Sequence, residues 1–202
     1  MLKARIAVFV SGGGTNLQAL IDSDELKSGE IVLVVSNNAD AYALKRAEKA
    51  GIKSEVVIKK GVSQEEFEEK LVSVLDKNNI DFIILAGFMC ILSENFTSRY
   101  PRRIINVHPS LIPSFCGKGF YGLHVHEAAL ERGVKVTGAT VHFVNEIPDG
   151  GEIILQKAVE IEAGDTAESL QKRVMENAEW ILLPRAAEQV SGEIIDGKEQ
   201  NQ

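Results

Sequence analysis

A chain of 202 residues with 45% hydrophobic and 25% charged content can bury one substantial core, and one domain is the simplest count. Its formal net charge of -7 speaks against nucleic acid as a main partner, because phosphate contacts want a basic surface, although a local basic pocket for one phosphate stays open. Two cysteines, Cys90 and Cys116, fit a reduced intracellular protein better than a disulfide scaffold; with too short an apolar start for a signal peptide and no run of roughly 18 apolar residues, a cytoplasmic location is expected.

The first strand is expected at "ARIAVFV" (4–10), and it runs into "SGGGTNLQAL". Glycines permit positive φ and close backbone approach, and the helix start that follows supplies free N–H groups, so one phosphate fits the turn. A tight turn alone is the competing reading of Gly12 to Gly14. A nucleotide P-loop is excluded for want of the Gly-Lys-Ser/Thr run. A dinucleotide loop would need glycine at Leu17 and an acidic residue where Ser36, Asn37 and Asn38 stand.

Further Val- and Ile-rich runs follow at 31–36, 54–58, 81–87 and 103–107, with helical spacing between them at 16–23, 39–51 and 63–79. Continuous apolar strands alternating with helices predict a parallel sheet covered on both faces. In the third helical stretch, Ser63 and Glu66 make an S-x-x-E capping box. Phe67, Leu71, Val74 and Leu75 form its apolar stripe.

The fifth run ends in "INVHPSLIPSF". Residues i and i+2 of a strand share a face, so Asn106 and His108 point together, at the strand end where open α/β sheets bind ligands. Structural hydrogen bonding is the plainer alternative for such a pair. The second half changes character. Strands are expected at 134–144 and 152–161, joined by "NEIPDGG", a link too short for a parallel crossover, which predicts antiparallel pairing. Asp149 precedes two glycines at the tip of that link. Were it to approach His108, its charge would favour the imidazolium, and imidazolium plus carboxamide could stabilise an oxyanion.

His124 and His126 have H-x-H spacing but no evident third metal ligand, so helix-start or surface roles are expected; His142 alternates along a strand and reads as structural. Cys90 and Cys116 lack a C-x-x-C context and read as inert, and no G-x-S-x-G elbow supports a hydrolase triad. A last helix is expected with Asp165 as N-cap and a stripe of Leu170, Val174, Ala178 and Ile181. The domain is expected to span 1–190, with 191–202 a polar, flexible tail.

"SGGGTNLQAL", "SNNADAYALKRAEKAGI", "LAGFMCIL", "INVHPSLIPSF", "VTGATVHFVNEIPDGGEIILQ" and "AGDTAESL", in that order, resemble the folate-dependent formyltransferases, and among them the phosphoribosylglycinamide formyltransferases, over nearly the whole chain. The resemblance implies a single-domain, Rossmann-like α/β formyltransferase fold, parallel in its N-terminal half, with antiparallel strands added in the C-terminal half. It implies transfer of the formyl group of 10-formyltetrahydrofolate to the amine of glycinamide ribonucleotide in purine biosynthesis. It further implies catalytic roles for Asn106, His108 and Asp149, with Asp149 raising the histidine pKa. Substrate contacts would come from Gly14, Thr15, Asn16 and Glu179, and folate contacts from Met89, Cys90, Ile91, Leu92, Asn106, Asn145 and Glu146. No metal, nucleic acid or membrane is implied, and the chain would act as a monomer or weak homodimer.

Three departures stand out: Cys90 where many members carry arginine, Gln64 where some do, and a longer loop at 113–126. Two relatives compete. Formyltetrahydrofolate hydrolase resembles the same motif but carries an extra N-terminal domain, and methionyl-tRNA formyltransferase carries a C-terminal one. A non-catalytic phosphate-binding module would explain the glycine turn alone.

Overall fold

The computed structural model describes residues 2–200. Seven strands form one sheet: β1 (Ala4–Val10), β2 (Gly29–Ser36), β3 (Lys53–Val56), β4 (Phe82–Leu85), β5 (Ile104–His108), β6 (Val136–Phe143) and β7 (Ile153–Glu160), in the order β3-β2-β1-β4-β5-β6-β7. The first five pair in parallel, and β6 and β7 pair antiparallel, as the link lengths predict. The order reverses at β1, so the carboxyl ends of β1 and β4 diverge around a crevice.

Helices α1 (Thr15–Ile21) and α2 (Tyr42–Lys49) cover one face of the sheet, together with α6 (Ala167–Val174) and α7 (Trp180–Glu199). Ile6, Val8 and Val10 of β1 meet Leu17, Leu182 and Leu183 there without solvent exposure of any consequence. The opposite face packs α3 (Gln64–Lys77) and the short α4 (Glu94–Thr97) on Ala7, Phe9, Ile83 and Leu85. In α3 the capping box forms as expected: Ser63 Oγ accepts from Glu66 N–H, and Glu66 Oε2 accepts from Ser63 N–H. Phe67, Leu71 and Leu75 are buried beneath it.

Four expectations need correction. The last helix is capped by Thr166, in a capping box with Ser169, rather than by Asp165. The Asp165 carboxylate instead takes Arg173, at 2.5 and 2.7 Å, and the guanidinium holds its pKa far below the usual carboxylate range. The apolar stripe runs Leu170, Val174, Ala178, Leu182, with Ile181 only half-buried. A five-residue π turn, Met175–Glu179, lies between α6 and α7, and its wider turn carries the buried stripe past Ile181.

Residues 191–199, expected as a flexible tail, continue α7. Ser191 is buried, and Lys198 pairs with Asp81 at 2.6 Å. Residues 201–202 of that expected tail lie outside the described residues. Finally, α5 (Leu123–Arg132) contains both histidines of the H-x-H pair. His124 is exposed and pairs with Glu127, but His126 is fully buried and so has no surface role.

Candidate active site

Beyond α3, the sheet face that it covers continues across β5 and β6, and there the inward positions turn polar. Ile105 and Val107 point into the core under α7, so Asn106 and His108 point the other way. Antiparallel register sets His142 opposite Asn106 and Thr140 opposite His108. The pairing of β6 with β7 slips between Val141 and His142, an irregularity beside the very residue that meets Asn106.

Here the 144–151 turn folds back toward β6. Gly151 makes that possible, since an added Cβ would stand 1.8 Å from the Phe143 carbonyl oxygen. Asp149 adopts a positive φ of 56°, and its carboxylate comes to rest between the two imidazoles. Oδ2 is 3.5 Å from His108 Nδ1 and Oδ1 is 3.6 Å from His142 Nε2. Oδ2 also accepts from Gly117 N–H at 2.8 Å, which ties the 113–122 loop to the carboxylate.

The hydrogen bonds assign protons. His142 Nδ1 donates to the Phe143 carbonyl (2.7 Å), so its Nε2 is left to accept from the Asn106 amide, 3.2 Å away. That fixes the Asn106 carboxamide with one N–H committed and the second left for a ligand.

His108 Nε2 donates to the Phe115 carbonyl at 2.8 Å. With an acceptor on each side, its ring is arranged for the imidazolium. Burial opposes this and wins: the His108 pKa lies below its ordinary value, pushed down by desolvation and pulled back up by Asp149 and the Phe115 carbonyl. The expectation that Asp149 raises the histidine pKa therefore holds for the direction of its own contribution, and fails for the net value. Asp149 stays ionised; burial raises its pKa, but His142, His108 and Gly117 together bring it below the usual carboxylate value.

A cavity of about 790 Å³ opens onto these groups. Its wall takes in Asn106, His108 and Asp149, the folate-side candidates Met89, Cys90, Ile91, Leu92, Asn145 and Glu146, and, at the far end, Asn16 and Glu179. Gly14 and Thr15 stand just outside the wall. Gly14 caps α1 in the left-handed conformation (φ 71°), where an added Cβ would meet Ala43 Cβ at 2.6 Å, so close packing alone already requires glycine there. Thr15 Oγ1 turns to Met175 Sδ at 3.8 Å.

At that far end, the π turn swings Glu179 inward, where its Oε2 accepts from Asn16 Nδ2 at 2.7 Å. Burial pushes the Glu179 pKa up to about 7 against the pull of the Asn16 N–H. Asn16 Oδ1 is buried with no partner among the described residues. The positions where arginine was noted as usual are committed elsewhere. Asn37 Nδ2 donates to Cys90 Sγ (3.0 Å), and Gln64 Nε2 donates to Glu68 Oε1 and the Ile91 carbonyl.

His142 and His126 are among the wall residues that sequence reasoning left out. His142 carries the alternation of an ordinary strand residue, and only the register with Asn106 reveals its place. His126 lines the cavity with both ring nitrogens unpartnered among the described residues; burial and the neighbouring His108 push its pKa down to about 4. Among the described residues, no group of three or more His, Cys, Asp or Glu is placed to hold a metal, and no helix is long and apolar enough to cross a membrane. A smaller depression of about 460 Å³ between Arg102, Arg103 and the end of α7 holds none of the convergent groups.

A family model described as formyl transferase matches residues 4–186. The chain is 46% identical, over 192 residues, to the trifunctional purine biosynthetic protein adenosine-3 of Gallus gallus; the match covers 94% of this chain and 18% of that protein, so the chain spans less than a fifth of that relative's length. It is 42% identical to the phosphoribosylglycinamide formyltransferase of Escherichia coli (strain K12), covering 84% of this chain and 79% of that one. The solved glycinamide ribonucleotide transformylase 1 of Symbiobacterium toebii superposes with a TM-score of 0.88 at 39% identity, covering 95% of this chain and 89% of that one.

Proposed function

The chain belongs to the formyl transferase family, and from that premise we propose that it passes the formyl group of 10-formyltetrahydrofolate to the amine of glycinamide ribonucleotide, a step of purine biosynthesis. The observation that supports this most is the carboxylate of Asp149 lodged between His108 and His142 beside Asn106, on the wall of one cavity of about 790 Å³.

The amine nitrogen attacks the formyl carbon, and the carbonyl oxygen gains negative charge. Asn106, half-buried, uses its uncommitted N–H and the buried His108 its Nε2–H to hold that oxygen, away from bulk water where a donor gains strength. For this the Phe115 carbonyl must give up Nε2, so the oxyanion replaces one acceptor with a better one. Collapse breaks the bond from carbon to the folate nitrogen. That nitrogen gains a proton from His108, and the amine's proton makes good the loss. Asp149 holds the ring and offsets part of the cost of burying the imidazolium.

At the other end, Glu179 and Asn16 present acceptors that suit the amine or the sugar hydroxyls of the ribonucleotide, and the turn at Gly14, Thr15 and Asn16 would take its phosphate. Met89 to Leu92, with Asn145 and Glu146, would face the folate.

The test is tetrahydrofolate release from 10-formyltetrahydrofolate, followed with and without glycinamide ribonucleotide. Release that requires the ribonucleotide is the expected result. Release that proceeds equally without it would make water the acceptor and replace this reading with a hydrolase. No reaction in either mixture would leave a binding module.

A further inference from the structure

Lys118 is the only lysine or arginine among the described residues that line the cavity; the carboxyl groups there are those of Glu146, Asp149 and Glu179. The lysine is exposed, and its ammonium has no hydrogen-bond or ion-pair partner among the described residues. It sits between Gly117 and Gly119, both at positive φ (83° and 96°), in the loop that is long in this chain. Gly117 N–H is the group bonded to Asp149, so the lysine hangs one residue from an anchor at the reaction centre.

Neither end of the cavity offers a substitute cation. Near the glycine turn, Arg46 stands outside the wall and spends Nε on the Gly13 carbonyl and a terminal nitrogen on Gln18. Along the 89–92 wall, the side chains are a thioether, a thiol and two aliphatics, and the Gln64 amide next to them is already bonded twice. Glu146 adds a negative charge on the facing turn. The folate named above has a flat, largely apolar body and a glutamate tail with two carboxylates. The apolar wall suits the benzoyl part of that body, and for the tail Lys118 is the one lysine or arginine on the wall among the described residues.

We propose that Lys118 pairs with a carboxylate of the glutamate tail of the folate, making this loop lysine the residue that selects a glutamylated cofactor. The inference rests on the formyl-transfer reading given above. Glycines on both sides let the side chain swing to the tail, and the pair would sit at a solvent-exposed rim where ion pairs are modest and screened by salt.

The experiment compares binding of tetrahydrofolate and of tetrahydropteroate, which lacks the glutamate, to the full chain and to Lys118→Ala and Lys118→Arg, at low and high salt. The wild type should bind the glutamylated ligand about 3- to 10-fold more tightly, the range expected of a rim ion pair strengthened by a charged hydrogen bond. Lys118→Ala should erase that preference, Lys118→Arg should keep it, and salt should compress it. If Lys118→Ala weakens both ligands alike, or instead raises the KM for glycinamide ribonucleotide alone, the assignment is wrong. Should the wild type transfer formyl yet show no preference for the tail, this inference falls and the proposed function stands. Failure to bind either ligand or to transfer formyl would remove both.

Discussion

One face of the sheet is used in two ways. Over β1 and β4 it is sealed by α3, and Phe9, Ile83, Leu71 and Phe67 meet there with no solvent exposure. Over β5 and β6 the same face carries Asn106, His108, Thr140 and His142, and the 144–151 turn folds back beside them at an open cavity. Covering a sheet with a helix yields stability from burial, whereas covering it with a turn leaves room for a ligand and strands polar groups that must find partners. Mutations should therefore separate: one half of the face governs stability, the other governs rate.

The sharpest form of that separation is His108→Ala. Removing a donor to an oxyanion costs about 10²–10³-fold in turnover in comparable sites, and a proton donor adds to that. The circular dichroism spectrum should be unchanged. Turnover within tenfold of wild type would mean that the polar half of the face is not the reaction centre. The mirror-image variant is Leu71→Ala on the sealed half. It should cost about 2–5 kcal/mol of stability, with kcat preserved in the molecules that remain folded. A large fall in kcat with little loss of Tm would dissolve the contrast.

His126 crosses the boundary, because it is buried like Leu71 but titratable. Its folded pKa of about 4 lies below the ordinary 6.5, so the folded state binds fewer protons than the unfolded state between those values. The stability it contributes is thus present above pH 6.5 and is lost as pH falls toward 4, by on the order of 3 kcal/mol at about 1.4 kcal/mol per pKa unit. In His126→Leu the acid limb of the stability curve should flatten. Parallel curves for variant and wild type would show that this imidazole is solvated after all.

Asp149→Asn tests the coupling inside the site. Losing the carboxylate lowers the His108 pKa further, since Asp149 is the largest of the influences raising it. If the working form is the imidazolium, activity falls as pH rises through that pKa, so the alkaline limb of kcat should move to lower pH. Turnover at neutral pH should drop about tenfold for each unit moved. A profile of the same shape at reduced height would leave Asp149 with a purely steric role.

What could be read from the sequence divides along the same boundary. Strand β1 matches its expected bounds, the capping box at Ser63 is present, and Asn106 and His108 share a face, because period-2 and cap signals are local. His142 was invisible for the opposite reason: its place depends on β5–β6 register, a relation between residues 36 apart. Helix α5 follows a glycine-rich loop, and its stripe is broken by two histidines, so a helix start could be read there but not the burial of His126. The π turn adds a fraction of a turn that no regular period predicts, and with it came the misplacement of Ile181. The net His108 pKa was misjudged because a charge partner can be guessed from sequence, while the depth of burial cannot.

The smallest expected effect lies on the sealed half. Ser63→Ala removes one side of the reciprocal pair that opens α3: the hydroxyl that accepts from Glu66 N–H at 3.1 Å disappears, and the Glu66 carboxylate keeps its own bond to the backbone of residue 63. Both partners are exposed, so water can take over much of what is lost, and about 1 kcal/mol is the expected cost. Urea unfolding should show it as a lowered midpoint at constant slope, with kcat unchanged, because the cap lies at the exposed start of α3, while contact with the site comes from Gln64 and Glu68 near residues 91 and 93 and from the core that α3 shares with Leu92. A change in kcat from so remote a cap would mean that the sealed half does more than hold the sheet: through those contacts it would set the position of the 89–92 wall itself.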